Sequence, residues 1–153
     1  MRRQVLALFA ASMVWMASPA GAHADDLEMT VFKDPNCGCC ALWVDHMRAN
    51  GFQVVVRNLE GLDRVKQMAG VPGPLQSCHT AVVDGYVIEG HVPAGSVHRL
   101  LADRPKVRGL AVPGMPVGSP GMPGEPLETY EVITFGGAGQ TLFETYRGEQ
   151  PRR

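Results

Sequence analysis

Apolar and polar residues change period several times along the chain, and each change predicts an element. Met29-Thr30-Val31-Phe32 is a short β-branched and aromatic run that Asp34-Pro35-Asn36 breaks. Beyond Cys37-Gly38-Cys39-Cys40, the residues Ala41, Val44, Met47 and Arg48 recur at three- and four-residue steps. That spacing predicts a helix to Asn50, with Gly51 as its C-cap. Phe52 to Leu59 (FQVVVRNL) reads as a strand buried at its centre. Leu62 to Met68 reads as a short helix stopped by Gly70 and Pro72. Thr80–Val83 and Tyr86–Glu89 flank Asp84-Gly85, the clearest hairpin signal in the chain. Pro93 to Ala102 predicts a helix with Val97, Leu100 and Leu101 on one face. Tyr130–Phe135 and Thr141–Tyr146 predict two more strands around Gly136-Gly137-Ala138-Gly139, and the tail Gln150–Arg153 is expected to fray.

Strand, cysteine-bearing turn, helix, strand, helix, hairpin and helix is the layout of an α/β, thioredoxin-like domain. Between its last helix and the final strands lies Pro105 to Pro126, a Gly/Pro/Met-rich stretch without periodicity. A loop of 22 residues is long for a compact domain and points to a functional or a disordered segment.

The first residues carry a different pattern. Arg2 and Arg3 precede an apolar run of 13 residues, Val5–Ala17, and Ala20-Gly21-Ala22 and Ala22-His23-Ala24 are small-residue cleavage sites. The run is shorter than the roughly 20 residues a spanning helix needs. Residues 1–24 therefore read as a cleaved signal peptide, and 25–153 as a single domain. Cleavage after Ala22 instead would make His23 the N-terminal residue. No lipid-attachment Cys follows the leader, which points to a bacterial periplasm. No later apolar run approaches 18 residues, so stable membrane insertion is not expected.

Composition narrows the function. The 153 residues hold 14 Lys+Arg against 15 Asp+Glu, a net charge of −1. Without the two arginines of the leader, 12 basic residues face 15 acidic ones, a net charge of −3. That balance argues against a nucleic-acid partner. A hydrophobic share of 45% argues against a disordered chain.

Four Cys and eight Met are the distinctive chemistry. Cys37, Cys39 and Cys40 combine C-x-x-C, C-x-C and an adjacent pair, at a strand-to-helix turn where helix amides favour thiolates. Cys78 precedes the hairpin next to His79. In the expected layout it faces the trio, although 38 residues separate it from Cys40. Two disulfides, a thiol-disulfide oxidoreductase using Cys37 and Cys40, and a structural zinc site each remain open. Neighbouring sulfurs suit none of them as well as Cu(I), whose low coordination number tolerates bridging thiolates in a polynuclear centre. Pro113-Gly114-Met115-Pro116 and Pro120-Gly121-Met122-Pro123 repeat one rigid turn, making Met115 and Met122 candidate ligands or packing residues for a loop that caps the cluster. His79 is a candidate ligand or support. His91 could approach the site, His46 reads as a solvated helix residue and His98 as surface. Trp43 reads as a core residue that also shields the centre.

DPNCGCC-x-x-W-V, SCHTAVVDGYVIEGHVPA and LAVPGMPVGSPGM resemble the exported metal-binding family that includes the bacterial copper-resistance protein CopG. The resemblance spans roughly Met29 to Tyr146. It implies a thioredoxin-like fold and copper bound by Cys37, Cys39, Cys40 and Cys78. It also implies a cysteine-bridged cluster with Cu(I)/Cu(II) interconversion. The expected protein is thus a periplasmic copper-resistance protein whose partners are copper ions and other periplasmic copper-handling proteins. A copper oxidoreductase, a passive copper chaperone and a thiol-disulfide oxidoreductase are the activities to separate.

Overall fold

The computed structural model describes residues 27–137 and 139–152. The expected leader, residues 1–24 with His23, lies outside the described residues. Among the described residues, eight strands form one mixed sheet in the order β2-β1-β3-β4-β5-β6-β7-β8, accompanied by three α-helices. The strands are β1 (Leu27–Lys33), β2 (Phe52–Asn58), β3 (His79–Val83), β4 (Tyr86–Glu89), β5 (Gly109–Ala111), β6 (Thr129–Phe135), β7 (Thr141–Arg147) and β8 (Gln150–Arg152). The helices are α1 (Gly38–Ala49), α2 (Asp63–Ala69) and α3 (Ala94–Asp103).

Two strand pairs are parallel, β1 with β2 and β4 with β5. Parallel neighbours need a crossover, and α1 and α3 supply one each. Between these units β3 and β4 form the expected hairpin, and β3 pairs antiparallel with β1. Asp84 (φ 45°) and Gly85 (φ 81°) both take positive φ, as the tight turn of a right-twisted hairpin requires.

Alternating side chains divide the core between the two faces of the sheet. Ile88 and Leu110 join Trp43, Met47, Val97 and Leu100 beneath α1 and α3. Their chain neighbours Val87 and Ala111 join Ala69, Leu75 and Phe135 on the opposite face, beneath α2. Helix α1 buries Cys40, Trp43, Val44 and Met47. The buried stripe is therefore rotated from the expected one, with Ala41 and Arg48 facing out. Cys40 and Trp43 belong to the core, and that sets the rotation. No helix among the described residues is long and apolar enough to cross a membrane.

Two expectations are corrected. Residues 105–126 are not one loop, because Gly109-Leu110-Ala111 is a fully buried strand between β4 and β6. Three small or apolar residues show no alternation, and only the two neighbouring strands identify them. The tail does not fray over Gln150–Arg152, which pairs with Thr145–Arg147 to extend the sheet.

Candidate metal centre

The centre begins where β1 ends. The buried Lys33 donates through Nζ to the carbonyls of Asp34 (2.7 Å) and Pro35 (3.4 Å). Asp34 Oδ1 accepts the amide of Asn36 at 2.7 Å, and its carbonyl accepts the amide of Cys37 at 3.1 Å. These bonds fold Asp34-Pro35-Asn36 into a compact turn that delivers Cys37 as the N-cap of α1. Cys37 Sγ accepts the amide of Cys40 at 3.3 Å, a cap in which sulfur does what a hydroxyl usually does. Cys37 and Cys40 are joined in a disulfide, while Cys39 and Cys78 are free thiols. Of the two bridges the even cysteine count allows, this structure has one.

Register brings the fourth sulfur in. Lys33 lies opposite His79 across the β1/β3 ladder, so Cys78 falls beside the turn that follows Lys33. All four sulfurs lie within 4.8 Å of one another, and Cys37 Sγ is 3.4 Å from Cys39 Sγ. The structure thus brings together the four cysteines that the sequence singles out.

Cys78 also belongs to a second donor group, with His79 and His91. Both imidazoles are fully buried. His91 Nδ1 lies 2.8 Å from the carbonyl of Pro120, which can only accept, so Nδ1 carries the proton. The bare Nε2 of His91 then faces Cys78 Sγ at 3.0 Å and accepts its thiol hydrogen. His79 Nδ1 sits 3.4 Å from the same sulfur. With the thiol hydrogen turned to His91, the sulfur accepts from His79 Nδ1–H, and Nε2 of His79 is left as a lone pair. That atom is buried without a partner. An unmet polar atom inside a protein is costly and marks a site of function or strain.

The electrostatics keep these donors neutral. Burial pushes the Cys78 thiol up to about 12, and the neighbouring Cys39 adds to the shift. Burial holds His79 well below the ordinary imidazole range, reinforced by His91 and Lys66. Burial also lowers His91, although the Pro120 carbonyl opposes it. Two neutral imidazoles and thiols that must shed protons on binding form a donor set for a soft cation.

The PGMP repeat closes over the centre, one turn to each side. The carbonyl of Gly114 accepts the Ser77 hydroxyl at 2.6 Å, next to Cys78. Gly121, at φ 85°, lies so close to α1 that a Cβ would come within 2.5 Å of the Cys39 carbonyl. Each methionine is therefore one residue from a contact with a cysteine-bearing segment. Met115 is 53% exposed, beside a hollow over β6, whereas Met122 lines a second hollow with Leu42 and Leu127.

Trp43 links the two sides of the centre. Its ring lies 4.3 Å from that of His79, and its Nε1 donates to the Val92 carbonyl at 2.9 Å. His46 does not enter the centre and is less solvated than its place on the helix implies. Its Nε2 accepts the amide of Ala94 at 3.2 Å, and burial lowers its pKa. His98 is exposed and stacks on Phe52. His91 is the donor that the sequence undervalues. Its signal is the pair of histidines bracketing a four-residue strand pairing, Thr80↔Glu89 to Val83↔Tyr86, which places both at the open end of the hairpin.

A mixed α/β sheet carrying four clustered sulfurs and two buried imidazoles defines a candidate metal-binding protein. A family described as "Protein of unknown function, DUF411" matches residues 75–122, a segment that holds Cys78, His79, His91, Met115 and Met122. None of the curated proteins matches. Two solved structures do, both described as copper resistance protein CopG, in forms 1 and 2. Each is 43% identical, with TM-scores of 0.75 and 0.74. They cover 81% and 80% of this chain, and 100% and 99% of their own. The chain belongs to the CopG family of copper-resistance proteins.

Proposed function

We propose that the protein is a periplasmic copper-resistance protein that gathers Cu(I) on Cys37, Cys39, Cys40 and Cys78. The mutual approach of the four sulfurs, within 4.8 Å, carries this reading. Their thiolates bridge several ions in a cysteine-bridged cluster, with His79 and His91 as nitrogen donors and Met115 and Met122 as thioether donors from the covering loop. The chain is thioredoxin-like in the order of its first four strands and its helices. Residues 1–24 are a cleaved leader that exports residues 25–153.

Loading four thiolates first requires the Cys37–Cys40 disulfide to take up two electrons and two protons from an external thiol reductant. Closing the disulfide again releases two protons and two electrons, which reduce two Cu(II) to two Cu(I), and the reverse reaction oxidises two Cu(I) while the disulfide opens. The test is anaerobic titration of the reduced protein with Cu(I) against a chromogenic chelator, followed by elemental analysis. The wild type takes up copper, and Cys37→Ser with Cys78→Ser abolishes uptake. Unchanged stoichiometry in that variant refutes the site.

The Cys37–Cys40 disulfide at a helix N-terminus also favours a second reading, a thiol-disulfide oxidoreductase acting on protein thiols. Cys39→Ser separates the two. The redox enzyme tolerates it, and a four-sulfur copper centre does not.

A further inference from the structure

Behind Cys78 lies a buried ionic network with no place in the chemistry above. Lys66, midway along α2, donates to Glu89 Oε1 at 2.6 Å and to Thr80 Oγ1 at 3.1 Å. The Thr80 hydroxyl donates to Glu89 Oε2 at 2.7 Å. Glu89 Oε1 also accepts the backbone amide of Ser77 at 2.7 Å. Glu89 is completely buried and Lys66 nearly so. Taking two charges out of water is costly, and apolar residues of similar size stabilise a core at least as well. Stability alone therefore does not account for the pair.

Its geometry does. Ser77 is the residue before Cys78, and three contacts hold it. Glu89 takes its amide, and Gly114 takes its hydroxyl at 2.6 Å. Gly90, at φ 71°, lies so close that a Cβ there would fall 2.6 Å from Ser77 Cβ. Glu89 sits on β4 one residue before Gly90 and two before His91. One carboxylate thus ties the segment bearing Cys78 and His79 to the segment bearing His91, and Lys66 ties both to α2. We infer that Glu89 is a positioning residue whose acceptor oxygen on the Ser77 amide sets Cys78 against His91 and the cysteine turn, with Lys66 balancing its buried charge, an inference that rests on the metal-site reading above.

The test uses the full chain and two double variants. Lys66→Met with Glu89→Met removes both charges and the acceptor for Ser77. Lys66→Met with Glu89→Gln removes the charges and keeps an acceptor of the same reach. Both are compared with wild type for Cu(I) affinity in the reduced protein, against bicinchoninate. Iodoacetamide labelling of Cys39 and Cys78 is mapped by peptide mass spectrometry in the oxidised protein, where these two are the free thiols. The double methionine variant is expected to lose about 10–100-fold in Cu(I) affinity, as loss of a ligand's supporting contacts typically does. Its Cys78 labels faster while Cys39 keeps its rate, and the glutamine variant stays near wild type in both readouts. If the double methionine variant does not fold, Lys66→Met with Glu89→Asn, whose amide is one carbon short, takes its place. Wild-type affinity and wild-type Cys78 labelling in the acceptor-free variant overturn the inference. So does an equal loss in the glutamine variant. A wild-type protein that takes up no Cu(I) refutes the metal reading instead, and the labelling comparison still decides whether Glu89 positions Cys78.

Discussion

The centre has two sides built in opposite ways. On the helix side, Cys37, Cys39 and Cys40 lie within four residues, held by one turn and the first amides of α1. Two of them are joined in a disulfide, and Cys39 is partly exposed. On the sheet side, Cys78, His79 and His91 come from three positions of a hairpin, with both imidazoles fully buried. They are backed by a closed network of charge and hydrogen bonds. The contrast teaches that the disulfide belongs to the side whose geometry is local. The side that depends on tertiary assembly is the one made rigid. A local turn reorganises cheaply, whereas moving a packed hairpin disturbs the whole sheet.

Trp43 touches both sides, so its removal breaks the comparison most severely. Trp43→Ala leaves a cavity between α1 and His79 and is expected to cost about 3–5 kcal/mol in urea unfolding. A loss below 1 kcal/mol would show that the two sides are not packed through this ring. Gly121→Ala acts first on the helix side. A Cβ 2.5 Å from the Cys39 carbonyl, on a backbone at φ 85°, is expected to cost about 1–3 kcal/mol. It should also lift the loop and speed labelling of Cys39, with a smaller effect on Cys78 because the neighbouring Pro120 carbonyl holds His91.

Acidity addresses the sheet side. The folded pKa values of His79 and His91 are lowered, so below an ordinary imidazole pKa of about 6.5 the unfolded chain binds protons that the native state refuses. Stability is therefore present above that pH and declines as pH falls through it. Unfolding curves at pH 7.5 and pH 5 check this, and His79→Phe should flatten the decline. At the alkaline end the sign reverses. The Cys78 thiol, pushed up to about 12, keeps its proton where the unfolded thiol loses it, so its contribution is present below about 9 and is lost toward 12. The smallest effect belongs to the covering loop. Met122→Leu conserves volume and should change stability by less than about 1.5 kcal/mol, while Cu(I) affinity falls measurably. Unchanged affinity would make Met122 a packing residue.

Much of the helix side was legible in the chain. C-G-C-C after a β-branched run and before a helical period identifies a turn whose sulfurs share one helix end. The hairpin was equally plain, because Asp84-Gly85 demands the positive φ that both residues adopt. The strand Gly109–Ala111 was hidden, since three residues without alternation carry no period, and so was the pairing of Gln150–Arg152 with β7. His91 and Glu89 carry little signal of their own. In sequence, one is a histidine at the end of a strand and the other an acidic residue at a hairpin terminus.

Short-range order, with its caps, turns and periods, was written in neighbouring residues, because the physics that produces it acts over a few positions. Which sulfur meets which, which histidine turns inward and which cysteines bond were decided only by the sheet. The β1/β3 register sets Cys78 beside Cys37, and burial lowers the pKa of His91 against the opposing Pro120 carbonyl. Desolvation and cross-strand register are properties of the assembled molecule, and no local stretch of the chain encodes them.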